Sequence, residues 1–239
     1  MTATADGVCL RVSGLTKHYG VLRALEAVSF EVRSGEVLGL IGPNGSGKTT
    51  LFECIGGVLP FDRGEIQPAA GDATPQLFYL PDAIAPWPSQ TVGWALRFVA
   101  GYFGAPDGLR ERVIGALSLH PLVGQAIGQL SKGQRKRTLL AIGLLTSRPL
   151  ILADEPFDGL DLRQTREMAD ALRMFARDGR TLVLSIHQIA DAARVCDRFV
   201  LLSGGTVRGE GTLQELTMLA SARRGAVIEG LEEAFLALT

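Results

Sequence analysis

The sequence predicts an α/β fold around an open parallel sheet, and three observations predict it. The runs Val37-Leu38-Gly39-Leu40-Ile41, Leu150-Ile151-Leu152-Ala153 and Thr181-Leu182-Val183-Leu184-Ser185-Ile186 have the length and apolar continuity of buried strands. Each is followed by polar chemistry: a glycine-rich turn after the first, Asp154-Glu155 after the second, His187 after the third. The turn leads into a helix beginning at Lys48. Open parallel sheets gather ligands at such carboxyl ends.

The glycine-rich turn is Gly42-Pro43-Asn44-Gly45-Ser46-Gly47-Lys48-Thr49-Thr50, and Gly42 to Thr49 matches the phosphate-loop pattern G-x-x-x-x-G-K-[ST]. Glycines let the backbone curl until successive amides converge on phosphate oxygens, and the helix behind adds its positive end. Lys48 supplies a mobile cation for the β and γ phosphates, and the Thr49 hydroxyl suits Mg²⁺. Strand, loop and helix agree, which weighs against an idle glycine-rich turn.

At the end of the second strand, alternation turns Asp154 and Glu155 in different directions. Asp154 can hold Mg²⁺ through its water shell, while Glu155 can polarise an attacking water. A carboxylate pair that merely ends a strand is the plainer reading, and the complete phosphate loop counts against it.

With these residues in place, and with Leu130-Ser131-Lys132-Gly133-Gln134 ending twenty positions before Asp154, nearly the whole chain resembles the nucleotide-binding subunits of ABC transporters, with a lean toward bacterial exporters. Gly42 to Thr49 is similar to their Walker A loop, Leu130 to Gln134 to their signature, Leu150 to Glu155 to Walker B, and Gly159-Leu160-Asp161 to the D-loop. His187 resembles the switch histidine that responds to the γ-phosphate. Tyr19, in Lys17-His18-Tyr19-Gly20, resembles the aromatic that stacks on adenine. The resemblance implies that Ser131, Lys132, Gly133 and Gln134 meet ATP held by a second ATP-binding subunit, identical or homologous, with Asp161 at the interface. Ser131 suits this as an N-cap that offers its hydroxyl and free amides.

The resemblance also implies a fold: a P-loop NTPase (RecA-like) core, an N-terminal antiparallel β layer and a helical insertion subdomain. One domain would span 1–239, with 82–145 as the helical part carrying the signature. ATP and Mg²⁺ are the implied cofactors. A transmembrane permease is the implied partner and gives the only membrane contact, on the cytoplasmic face. The substrate would be chosen by that permease.

Two positions depart from the pattern. Lys132 stands where the family commonly has glycine, which puts a cation beside the presumed phosphate surface. Asp82, ending Phe78-Tyr79-Leu80-Pro81-Asp82, stands where a glutamine usually serves Mg²⁺ and the lytic water. A carboxylate can still meet the metal, but it is shorter and charged. Asp82 is therefore the one reason to consider a weakly hydrolysing, regulatory partner in a heterodimer. A permease-free ATPase acting on nucleic acid or ribosomes is disfavoured by the single motif set and neutral charge.

In chain order, Val8 to Val32 reads as short alternating strands of the antiparallel layer. After Asp82 the turn Ala85-Pro86-Trp87-Pro88 leads to helical stretches at Thr91–Phe103 and Leu109–Leu119. Of Trp87, Trp94, Phe98 and Phe103, all but Trp87 are expected in the core; the Trp87 turn is assigned to permease docking. The basic run Gln134-Arg135-Lys136-Arg137 is expected to be a solvated helix face. A helix at Ile189–Val195, a strand at Arg198–Leu202 and the turn Ser203-Gly204-Gly205 follow. The tail Leu231–Thr239 resembles that of many exporter-type ATPases.

Composition sets outer bounds. With 24 Lys+Arg against 25 Asp+Glu, net charge −1, nothing points to nucleic acid or an anionic membrane. No apolar stretch approaches the roughly 20 residues that span a bilayer. Cys9, Cys54 and Cys196 are scattered, which indicates neither a zinc site nor a disulfide framework and suits a reducing cytoplasm. Met1 to Gly7 has no basic patch or apolar h-region, so no secretory signal is expected.

Overall fold

The computed structural model describes residues 7–68 and 76–239, so the signal-peptide reading of Met1–Gly7 lies almost wholly outside it. Six strands form the central sheet in the order β5 (Leu77–Leu80), β6 (Leu150–Asp154), β7 (Thr181–Ile186), β3 (Val37–Ile41), β8 (Arg198–Ser203) and β9 (Thr206–Gly211). All neighbours run parallel except β9, which returns antiparallel on β8 through the Gly204-Gly205 turn. The carboxyl ends of β3, β6 and β7 therefore open on one edge.

Alternation along these strands divides the core in two. Val37, Ile41, Ile151, Ala153, Leu182, Leu184, Phe199 and Leu201 face a core shared with the helices of the insertion and the C-terminal half. Leu38, Leu40, Leu150, Leu152, Val183, Val200 and Leu202 face a second core with α1 (Lys48–Ile55) and a separate antiparallel layer. Continuous apolar strands are what a sheet covered on both faces requires. Full burial of each such Leu or Val contributes roughly 1.5–3 kcal/mol.

The antiparallel layer is β2 (Leu22–Arg33), β1 (Val8–Tyr19) and β4 (Arg63–Pro68), in that order. Where short strands were expected, β1 and β2 are single long strands bent by several register shifts. β4, absent from the sequence reading, pairs with β1 from beyond the phosphate loop. The layer is tied to that loop through the β8–β9 turn: Glu26 N donates to the Gly205 carbonyl, and Gly205 N to the Ser46 carbonyl.

The insertion contains α2 (Val92–Phe103), capped by Thr91, then α3 (Leu109–Ala116) and α4 (Lys132–Leu145). α3 stops before the expected Leu119 because Ser118 takes a left-handed turn at φ 51° and two short 3₁₀ turns follow. The chain closes with α5 (Leu162–Arg177), α6 (Ile189–Val195), α7 (Leu213–Arg224) and α8 (Leu231–Leu238), which gives the tail a helical form. Among the described residues no helix is long and apolar enough to cross a membrane. The three cysteines are free.

Two expectations about side chains are overturned. Phe98 is 47% exposed rather than core, because Trp94, Phe98 and Tyr102 stack into a ridge along α2 and Trp87, from the preceding turn, packs edge-on against it. The basic run on α4 is not a solvated face. Lys136 is buried, Arg135 donates to the Leu130 carbonyl, and Arg137 to the carbonyls of Leu117 and Ser118.

Candidate functional site

The loop from Gly42 to Gly47 joins β3 to α1 at the open edge of the sheet. Gly45 and Gly47 have φ of 80° and 105°, and a Cβ on Gly42 would stand 2.2 Å from the Leu202 carbonyl oxygen. The loop thus has the conformation and the contacts of glycine alone. Ser46 is buried, Pro43 and Asn44 complete the curl, Thr50 lies in the first turn of α1, and that helix begins without a side-chain cap. Its first-turn amides have no partner within the helix and face an incoming anion. Lys48 spans the loop, its Nζ donating to the carbonyls of Gly42 at 2.8 Å and Pro43 at 3.2 Å. Burial lowers its pKa, and the Coulombic pull of Glu155 and Asp154 opposes that shift.

Asp154 ends β6 almost fully buried. Its Oδ2 accepts from Thr49 Oγ1 at 2.8 Å, and its Oδ1 from Ser185 Oγ. Two hard oxygens from separate motifs thus stand together, a donor set that fits Mg²⁺. Ser185 sits opposite Asp154 in the β6–β7 ladder and had no signal in the sequence, where it reads as filler in an apolar strand.

Glu155 and Asp154 do part company, as expected, yet more than strand alternation is at work. Glu155 leaves the strand at φ 47°, a left-handed conformation that costs on the order of 1–3 kcal/mol and persists only where the surroundings over-determine it. Its N–H donates to Ser185 Oγ at 2.9 Å, and the Asp154 carbonyl accepts from Lys136 Nζ at 2.8 Å. The carboxylate comes to rest 3.6 Å from His187 Nδ1. That spacing lets the two share charge or a bridging water rather than a direct hydrogen bond.

Asp82 follows β5 and Pro81 and lies beside α4. Its Oδ1 lies 2.5 Å from Lys136 Nζ, an ion pair by distance whose angle is not that of a hydrogen bond. Carboxylate oxygens of Asp82, Glu155 and Asp158 fall within 4.8 Å of one another.

The signature segment forms the start of α4. Ser131 is the N-cap in a reciprocal box: its hydroxyl accepts from Gln134 N at 3.3 Å and its N–H donates to Gln134 Oε1 at 2.9 Å. Gly133 packs so close to the Gly159 carbonyl that a Cβ would stand 2.6 Å from it. Lys132 does not stand free beside this surface; its Nζ lies 2.5 Å from Asp158 Oδ2. That hydrogen bond lowers the Asp158 pKa and raises that of Lys132. Asp161 caps α5, accepting from Gln164 N at 2.8 Å. Tyr19 ends β1 half exposed, with Lys17 Nζ 5.4 Å from its ring centroid.

Residues 25–158 match the ABC transporter family. The phosphonates import ATP-binding protein of Caulobacter vibrioides is 34% identical, aligned over 89% of this chain and 91% of its own. The SkfA peptide export ATP-binding protein of Bacillus subtilis is 31% identical, over 82% of this chain and 86% of its own. A solved ATP binding subunit of an ABC transporter superposes with a TM-score of 0.83 at 29% identity, covering 96% of this chain and 99% of that one.

Proposed function

The chain belongs to the ABC transporter family as an ATP-binding, ATP-hydrolysing subunit, and from this we propose that it works as half of a head-to-tail pair on the cytoplasmic face of a membrane permease. In that pair the phosphate loop of one subunit holds ATP, and Ser131, Gly133 and Gln134 of the other cover its γ-phosphate. The observation that carries the reading is the meeting of three separated motifs at one sheet edge. Thr49 bonds Asp154, and Glu155 faces His187 beside them.

Within that reading Lys48 leaves the loop carbonyls for the β and γ phosphates. Mg²⁺, held through Thr49 and Asp154, would neutralise phosphate charge. Glu155 accepts the proton of the attacking water, and His187 orients that water and the Glu155 carboxylate. Tyr19 stacks on the base. Asp161 meets the facing subunit, and the exposed Trp87 ridge receives the permease, so that pairing and docking act on the same α4 and Asp82 turn. Similarity is shared with both import and export relatives, so it does not carry a direction of transport.

Steady-state ATP hydrolysis by the purified chain tests this reading. Glu155→Gln is expected to keep nucleotide affinity within about twofold and to lower turnover at least a hundredfold, because it keeps the shape of the side chain and removes the base. Turnover at the wild-type rate would remove Glu155 from its role.

A further inference from the structure

Lys136 has no place in the mechanism so far, yet its ammonium is buried where the chemistry is assigned. Its side chain is 4% exposed. A cation so buried requires a counter-charge and acceptors. It has both: the Asp82 carboxylate at 2.5 Å and the Asp154 carbonyl at 2.8 Å.

The second contact is the informative one. The peptide between Asp154 and Glu155 is gripped from both ends, its carbonyl by Lys136 Nζ and its N–H by Ser185 Oγ. The residue after that peptide is the one with φ 47°. Two grips on one peptide plane are what hold a left-handed glutamate in register. The charges around it are also sorted. Asp82 is matched by Lys136 and Asp158 by Lys132, while Glu155 between them faces His187.

We propose that Lys136 is a positioning residue for hydrolysis: it fixes the Asp154–Glu155 peptide and so the aim of the Glu155 carboxylate, with Asp82 as its counter-ion rather than a metal ligand. Because Lys136 rides on the helix that begins at Ser131, and Asp82 begins the turn that carries Trp87, the pair ties both surfaces to the lytic carboxylate. The proposal rests on the ATPase reading above.

The test compares wild type, Lys136→Met, and the double variant Lys136→Met with Asp82→Asn, which removes the counter-ion as well. Hydrolysis and melting temperature are measured on the full chain, and affinity with a fluorescent ATP analogue. Lys136→Met is expected to lower kcat at least tenfold with KM and analogue affinity within threefold. The double variant is expected to regain the lost melting temperature but not the lost kcat. If Lys136→Met does not fold, the double variant is compared with Asp82→Asn alone, and the further loss of kcat is the part that belongs to Lys136. A kcat within twofold of wild type in either variant, or a loss carried by KM alone, overturns the proposal. Absence of turnover in the wild-type chain would instead count against the ATPase reading, so the two failures are distinct.

Discussion

Thr49 Oγ1 and Asp154 Oδ2 stand 2.8 Å apart although 105 positions separate them in the chain. One is the second residue of α1 and the other the last of β6, so their meeting joins the phosphate loop to the strand that leads into Glu155. Asp154→Asn keeps the volume and removes the charge. The free Mg²⁺ needed for half-maximal hydrolysis is expected to rise at least tenfold, while metal-free nucleotide binding changes little. Titration of ATPase activity against free Mg²⁺ reads this.

Gly45 and Gly47 separate strain from collision. Both have positive φ, but a Cβ on Gly45 meets nothing within 4 Å, whereas one on Gly47 would lie 2.6 Å from the Ala24 carbonyl oxygen. Gly45→Ala is expected to cost only about 1 kcal/mol of backbone strain. Gly47→Ala must move the loop off the β layer and is expected to abolish nucleotide binding, as followed by fluorescence titration.

Gly133 sets the distance between the signature and the D-loop. A methyl there would press on the Gly159 carbonyl and come within 2.7 Å of Leu160 Cδ2. Gly133→Ala is expected to leave ATP binding to the single chain intact and to lower turnover at least tenfold. Comparing affinity with kcat on the same preparation separates the two.

The Lys132–Asp158 pair gives a pH signature. Asp158 titrates below its ordinary value, so its contribution is present above the usual carboxylate range and lost as pH falls through the depressed value. Lys132 titrates above its ordinary value, so its share is lost only as pH rises through the raised one. Asp158→Asn should lower the melting temperature slightly at neutral pH, and the difference should close in acid. Both side chains are substantially solvated, so added salt should shrink it as well. Melting curves across pH with and without salt check the sign.

What the sequence discloses follows from where each residue's environment is determined. β3, β6 and β7 are legible because a continuous apolar run of strand length leaves few other readings, and the phosphate loop because its spacing is local. β4 is not: Arg63-Gly64-Glu65-Ile66-Gln67-Pro68 has one β-branched residue between a glycine and a proline, and its strand state comes from pairing with β1. Ser131 as an N-cap is local and legible. Lys136 and Ser185 are hidden for the opposite reason. A lysine in a basic run reads as solvated and a serine in an apolar strand as filler, until Asp82 and Asp154 arrive from distant segments. The aromatic ridge is misread in the same way, since Phe98 at helical spacing from Trp94 looks like core and is stacked on the surface instead.

The central claim is that ATP closes two of these chains face to face. Light scattering on Glu155→Gln with saturating Mg-ATP measures it directly. A particle of twice the 25.5 kDa chain, reverting when ADP replaces ATP, is the predicted result. A chain that binds Mg-ATP fully and still scatters as a monomer, with or without its permease, would contradict it.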